Sequence, residues 1–174
     1  MPVLCASLLA QELNFAETKK RAEAGDAKAQ FNLGVMHAVS RGALKDDVEA
    51  VRWFRKAADQ GFAAAQNNLG FMHDKGRGTP QDYAQAAQWY LKAADQAYAE
   101  AQENLALLYA KGLGTRPDLV QAHKWYALAA LNYRPEEAKQ RALAKKRYEA
   151  LEAKMTAKQI ADARAAAAAW RAKK

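Results

Sequence analysis

The chain is poor in the residues that staple, bend or anchor a protein. A single cysteine, Cys5, in 174 residues excludes any disulfide framework within the chain. Four prolines and nine glycines are too few for a linker-rich or collagen-like chain. No apolar run reaches the roughly 18–20 residues that cross a bilayer as a helix. Met1–Ala10 has an apolar centre but no basic residue before it, so it lacks the positive start of a secretory leader. As written, the chain is expected in the cytoplasm; were that stretch the end of a longer leader, the compartment would be periplasmic or secreted. Sites of chemistry are equally scarce. There is no phosphate-binding glycine loop, no Cys/His metal spacing, no nucleophile elbow and no Ser-x-x-Lys. No catalytic, cofactor or metal residue is assigned, and the chain is read as non-enzymatic.

What the sequence does have is repetition. A 36-residue unit runs three times without an insertion, over 25–60, 61–96 and 97–132, and the first two copies share 19 identities. Leu33 aligns with Leu69 and Leu105, Gly42 with Gly78 and Gly114, Asp46 with Asp82 and Asp118, and Trp53 with Trp89 and Trp125. Self-similarity at this period marks stacked repeats, each burying its apolar face only against neighbours.

Each repeat reads as two helices. Ala27, Gln30, Leu33, Gly34 and His37 recur at helical spacing, as do Ala50, Trp53, Phe54 and Ala57. Between them lie Ser40-Arg41-Gly42, Gly76-Arg77-Gly78 and Lys111-Gly112-Leu113-Gly114, where glycine suits a left-handed helix end. Asp46, Asp82 and Asp118 then stand three residues before Glu49, Gln85 and Gln121, the spacing of a reciprocal capping box. Gly34, Gly70 and Ala106 are expected to face the pairs Ala57-Ala58, Ala93-Ala94 and Ala129-Ala130. Gly61 ends a second helix; Ala97 and Tyr133 take its place later, so those turns are expected to close differently. The tryptophans, with His37 and His73, are expected in the core, and His123 on the surface.

The string Ala-x-Ala-Gln-x-Asn-Leu-Gly-x-Met-His, followed by Gly-x-Gly, Asp, Ala-x-x-Trp and Lys-Ala-Ala-x-x-Gly, resembles the Sel-1-like repeat, a relative of the tetratricopeptide repeat. The resemblance covers 25–133 and implies an all-α fold: a right-handed α-solenoid of antiparallel helix pairs. Residues 1–24 would hold an N-terminal segment with a half-repeat helix, and 134–174 two basic capping helices. In the second of these, Thr156 and Gln159 have capping-box spacing. The family's role implies a protein–protein interaction scaffold, with a protein or peptide of unstated identity held against the first helices. The cysteine-rich members associated with β-lactams are stapled by cysteine pairs, which this chain lacks.

On the first helices, Asn32, Asn68 and Asn104 form an amide ladder flanked by Phe31, Asn67 and Glu103 and by Val35, Phe71 and Leu107. Amides mixed with apolar side chains suit a peptide or partner helix, and the same ladder would equally serve to brace neighbouring helices. The alternative reading rests on charge. Residues 1–133 carry 15 Lys/Arg against 14 Asp/Glu, and 134–174 carry 12 against 5, so the net +8 sits almost wholly in the tail. A basic tail can engage nucleic acid or an anionic membrane, but alanines and acids interrupt its stripe. A monomer is expected.

Overall fold

The computed structural model describes residues 14–39 and 45–173; Cys5, the apolar start and the loop Ser40-Arg41-Gly42 lie outside them. The described residues are helical, with no strand among them. They divide into two compact units, Met1–Gln81 and Asp82–Lys174.

The N-terminal unit contains α1 (residues 14–23), α2 (Ala27–Val39), α3 (Asp47–Asp59) and α4 (Ala63–Lys75). Helices α2 and α3 are antiparallel. The Asp46 amide donates to the His37 carbonyl at one end, and Gln60 reaches Gly25 O and Gln30 Oε1 at the other. Ala22, Ala29, Leu33 and Trp53 form the core of this end, backed by Phe15 and Met36.

The C-terminal unit contains α5 (Tyr83–Ala94), α6 (Ala99–Lys111), α7 (Leu119–Asn132), a 3-10 turn at Pro135–Glu137, α8 (Ala138–Glu152) and α9 (Ala157–Ala169). Pro135 therefore opens a single tight turn ahead of the long helix, with Glu137 accepting from the Arg134 amide. Both α8 and α9 pack on α7. The Thr156–Gln159 capping box is complete in both directions, at 3.2 and 2.8 Å.

Asp46, Asp82 and Asp118 cap their helices as expected, each accepting an amide hydrogen bond three residues on. The reciprocal half of the box is not made at Asp46 or Asp118. Their own amides are already spent on His37 O and Tyr109 O, so the cap also ties the second helix to the end of the first.

Two other expectations are corrected. Gly34 lies against Phe54 and the Ala50 carbonyl, not the Ala57-Ala58 pair: a Cβ there would stand 2.7 Å from the Phe54 ring. Ala97 does not close its turn differently either. It takes φ +64, in the same turn that Gly25 (+98) and Gly61 (+86) make. All three turns share one bonding pattern, Asp26 to Arg21, Phe62 to Ala57 and Tyr98 to Ala93. Only Tyr133 departs, leaving its helix extended at φ −62 and ψ 134.

The three repeat tryptophans are buried, each with a lysine over its ring: Lys56 on Trp53, Lys92 on Trp89 and Lys124 on Trp125, 3.9–4.3 Å from the centroid. These contacts cover the outer edge of a core residue with a lysine, exposed at Lys56 and Lys92 and half-buried at Lys124.

Three glutamines hold the repeats together. Gln30, Gln66 and Gln102 are buried, and each carboxamide nitrogen donates to a carbonyl eight residues earlier, on Ala22, Ala58 and Ala94, at 3.0–3.1 Å. Those carbonyls end the preceding helix, where each also accepts the amide of its own tight turn, from Gly25, Gly61 and Ala97 at 3.0–3.1 Å, so the glutamine supplies a second donor. The carboxamide oxygens of Gln30 and Gln102 in turn accept from Gln60 and Asn132. Sequence reasoning placed Gln30 on the apolar face without asking why an amide sat there; its recurrence at all three buried positions was the available signal.

Candidate functional site

In the N-terminal unit a groove of about 180 Å³ opens between first helices α2 and α4, with Phe54 of α3 beneath. Val35, Ala38 and Val39 form one wall, Asn68, Phe71 and Met72 the other, and Arg77 closes an end. Val39 is 55% exposed and Phe71 37%, high for large apolar side chains. They point outward because Leu33, Leu69 and Met72 already occupy the inward positions of the same helices.

The charges at the rim among the described residues are paired: Lys75, its ammonium 5.9 Å from the Phe71 ring centroid, lies 3.0 Å from Asp74. Arg77 forks onto Asp47, with Nε 3.0 Å and a terminal nitrogen 2.5 Å from the two carboxylate oxygens, and reaches the Ala38 carbonyl at 3.4 Å. The Arg77 hydrogen bonds hold the Asp47 carboxyl below its usual range, and the same pairing raises Arg77 further. Among the described residues the groove therefore offers apolar surface, the Asn68 amide and an Arg77 already held by Asp47.

The other expected residues have varied placements. Val35, Asn68 and Phe71 meet in this groove. Phe31 is half-buried between Phe54 and Phe62, with centroids 6.0 and 5.2 Å away. Asn32 is exposed and lines a separate polar recess with Asn14, Thr18 and Arg21; Asn67 is half-buried outside the groove lining. In the C-terminal unit Asn104 and Leu107 are half-buried. Glu103 is engaged inward: it accepts from the Tyr133 hydroxyl at 2.6 Å and pairs with Arg147 of α8. Phe54, Ala38, Val39, Met72 and Arg77 were not among the expected residues. Val39, one helical turn beyond Val35, was the readable signal.

The histidines split. His73 is buried beside Arg55 and His37 is half-buried, edge-on to Phe15 at 5.9 Å. His123, expected on the surface, is 1% exposed. The capping helices bury it: its Nε2 lies 2.8 Å from Glu152 of α8, its ring 5.1 Å from Tyr148, and Arg164 of α9 holds the same carboxylate. Hydrogen bonds from His123 and then Arg164 keep Glu152 below its usual range. Burial likewise raises the Tyr126 hydroxyl to about 12.

Much of the tail's charge is internally matched: Lys145 with Glu149, Arg147 with Glu103, Lys158 with Asp162, Arg164 with Glu152 and Lys173 with Asp95. Among the described residues no cluster of His, Cys, Asp or Glu is arranged to hold a metal ion, and no helix is long and apolar enough to cross a membrane.

Helix pairs at a fixed 36-residue period, with two further helices packed on the last of them, define the class of helical-repeat proteins. The Sel1 repeat profile matches residues 27–62, 63–98 and 99–132, each copy beginning two residues later than the period read from the sequence. The chain belongs to the Sel1 repeat family. Among solved structures it is similar to a protective antigen present in uropathogenic Escherichia coli strains that displays an SLR fold. The two are 42% identical over 69% of this chain and 26% of that one, with a TM-score of 0.67. It is also similar to a Sel1 repeat protein from Oxalobacter formigenes, at 32% identity over 70% of this chain and 55% of the other, with a TM-score of 0.62. The chain thus spans about a quarter and about half of those two proteins. No curated protein matches it. The Sel1 repeat is in general a non-catalytic fold whose members commonly serve as protein-interaction scaffolds.

Proposed function

We propose that this chain is a non-enzymatic adaptor whose first-helix groove holds a segment of a protein partner. The observation that carries the reading is the apolar lining at half-buried Val35 and exposed Val39 and Phe71, beside the Asn68 amide. Apolar walls supply affinity for side chains of a docked peptide or helix, and an amide can both donate to and accept from its backbone. With Arg77 held by Asp47, the favoured ligand is apolar at the groove and needs no acidic group there.

The test is selection of peptides from a displayed library on the whole chain, followed by titration against Phe71→Asp and Asn68→Ala. Loss of at least about tenfold in affinity, or about 1.4 kcal/mol, with unchanged helicity and melting, is the expected result. Peptides that bind both variants as well as the parent would remove the groove from the account.

A further inference from the structure

The last described residues do not trail into solvent. Helix α9 ends at Ala169, and Trp170 turns the chain extended at φ −67 and ψ 143. The Trp170 ring then meets the buried Trp125 ring of α7 edge-on, 6.2 Å between centroids. Three residues later Lys173 reaches the end of α5. Its backbone amide donates to the Asp95 carbonyl at 2.7 Å, and its ammonium lies 2.6 Å from the Asp95 carboxylate.

Asp95 is a natural receptor for such a segment. As the C-cap of α5 it sits where helix carbonyls lack intrahelical donors and where a cation is favoured by the helix dipole. An incoming backbone N–H and a lysine answer both needs at once. Lys124 lines the same place, its ammonium over the Trp125 ring, and it is disfavoured as a cation chiefly by burial, with Lys173 adding to that and Asp95 opposing it. Ring against ring, amide to carbonyl and ammonium to carboxylate make three points of recognition within four residues. The Lys173 side chain is nevertheless 76% exposed, so the lysine end of the contact can part without opening the core, and Trp170 is itself only half-buried.

We propose that Trp125, Lys124 and the Asp95 helix end form a second docking slot, specific for extended peptides with an aromatic residue followed three positions later by lysine, and that Trp170–Lys173 occupies it in cis as a releasable strap. The slot is separate from the groove between α2 and α4 and does not depend on it. A tethered strap competes at an effective concentration in the millimolar range, so the slot is closed to weak ligands until the strap is displaced.

The probe is a synthetic pentapeptide of residues 170–174, followed by chemical-shift perturbation in the isotopically labelled protein. A chain ending at Ala169 is expected to bind it, with shifts at the Trp125 indole and the Asp95 and Lys124 amides. The intact chain should bind at least about tenfold more weakly, and Asp95→Lys in the shortened chain should abolish binding. Equal binding to the intact and shortened chains, or no binding to a folded shortened chain, overturns the slot. Should shortening unfold the unit, Asp95→Lys in the full chain decides. Accelerated exchange of the Lys173 amide with melting essentially unchanged supports a releasable strap; a large fall in melting temperature shows an integral part of the core and overturns it.

Discussion

Replacing Gly78 by alanine tests how one repeat is seated on the one before. Gly78 has φ +65, and a Cβ built on it would stand 2.1 Å from the Asp47 carbonyl oxygen, 2.3 Å from its carbon and 2.8 Å from the Val48 nitrogen. All three are backbone atoms at the start of α3, so no side chain can swing aside. The left-handed conformation alone costs an L-residue roughly 1–2 kcal/mol, and forcing a methyl into packed backbone adds about 1–3 kcal/mol. Gly61→Ala is the internal control: its φ is +86, but nothing lies within 4 Å of the added carbon. Urea denaturation followed by circular dichroism should give about 1–2 kcal/mol for Gly61→Ala and at least about 3 kcal/mol for Gly78→Ala. Costs for the two variants that agree within about 0.5 kcal/mol would refute the close seating and leave only the conformational term.

Ala97→Gly should stabilise the chain by about 1 kcal/mol, because Ala97 already pays the left-handed cost that Gly25 and Gly61 avoid; a thermal melt showing no gain would contradict this. Gln102→Leu should cost about 1–3 kcal/mol in denaturant unfolding, because the Asn132 amide loses its acceptor and the Ala94 carbonyl keeps only its bond from Ala97, whereas an exposed amide such as Gln88 should tolerate the change within about 0.5 kcal/mol. Asp47 is held below its ordinary value of 3.8 by Arg77. Its contribution is therefore present above that value and is lost as pH falls through the lowered folded value. Melting temperature should drop on acidification below about pH 4, and the drop should be shallower in Asp47→Asn; parallel curves would show that the pair does not couple to folding.

The helices, their aspartate caps and the buried tryptophans were legible because each repeats in register, so one pattern was read three times. Contacts made by a single copy were not. His123 replaces Val51 and Ala87, which are themselves half-buried and buried, so the position faces inward in every copy, and α8, with Glu152 and Tyr148, then supplies the imidazole's own contacts. Ala97 was misread because glycine's absence suggests a different turn. In the structure the flanking helix end, bonded through Tyr98 to Ala93, dictates the backbone and the alanine bears the strain. Within the candidate groove, Val35 and Phe71 followed from a first-helix position that varies between copies, and Asn68 from one that stays polar in all three. Arg77 did not, since its partner Asp47 lies thirty residues away and is unmatched by Tyr83 and Leu119 in the other copies.

The glutamine clamp also constrains how chains of this kind grow. Each carboxamide joins the final turn of the helix that came before it, so a cut that removes one helix of a pair leaves a carbonyl short of a donor on one side and an idle amide on the other. Shortening or lengthening by a fraction of a period breaks that handshake, whereas adding or deleting a complete period renews it. Length can then change only in whole steps, and a graft made at the 36-residue boundary should be accepted where one made a few residues off it is not.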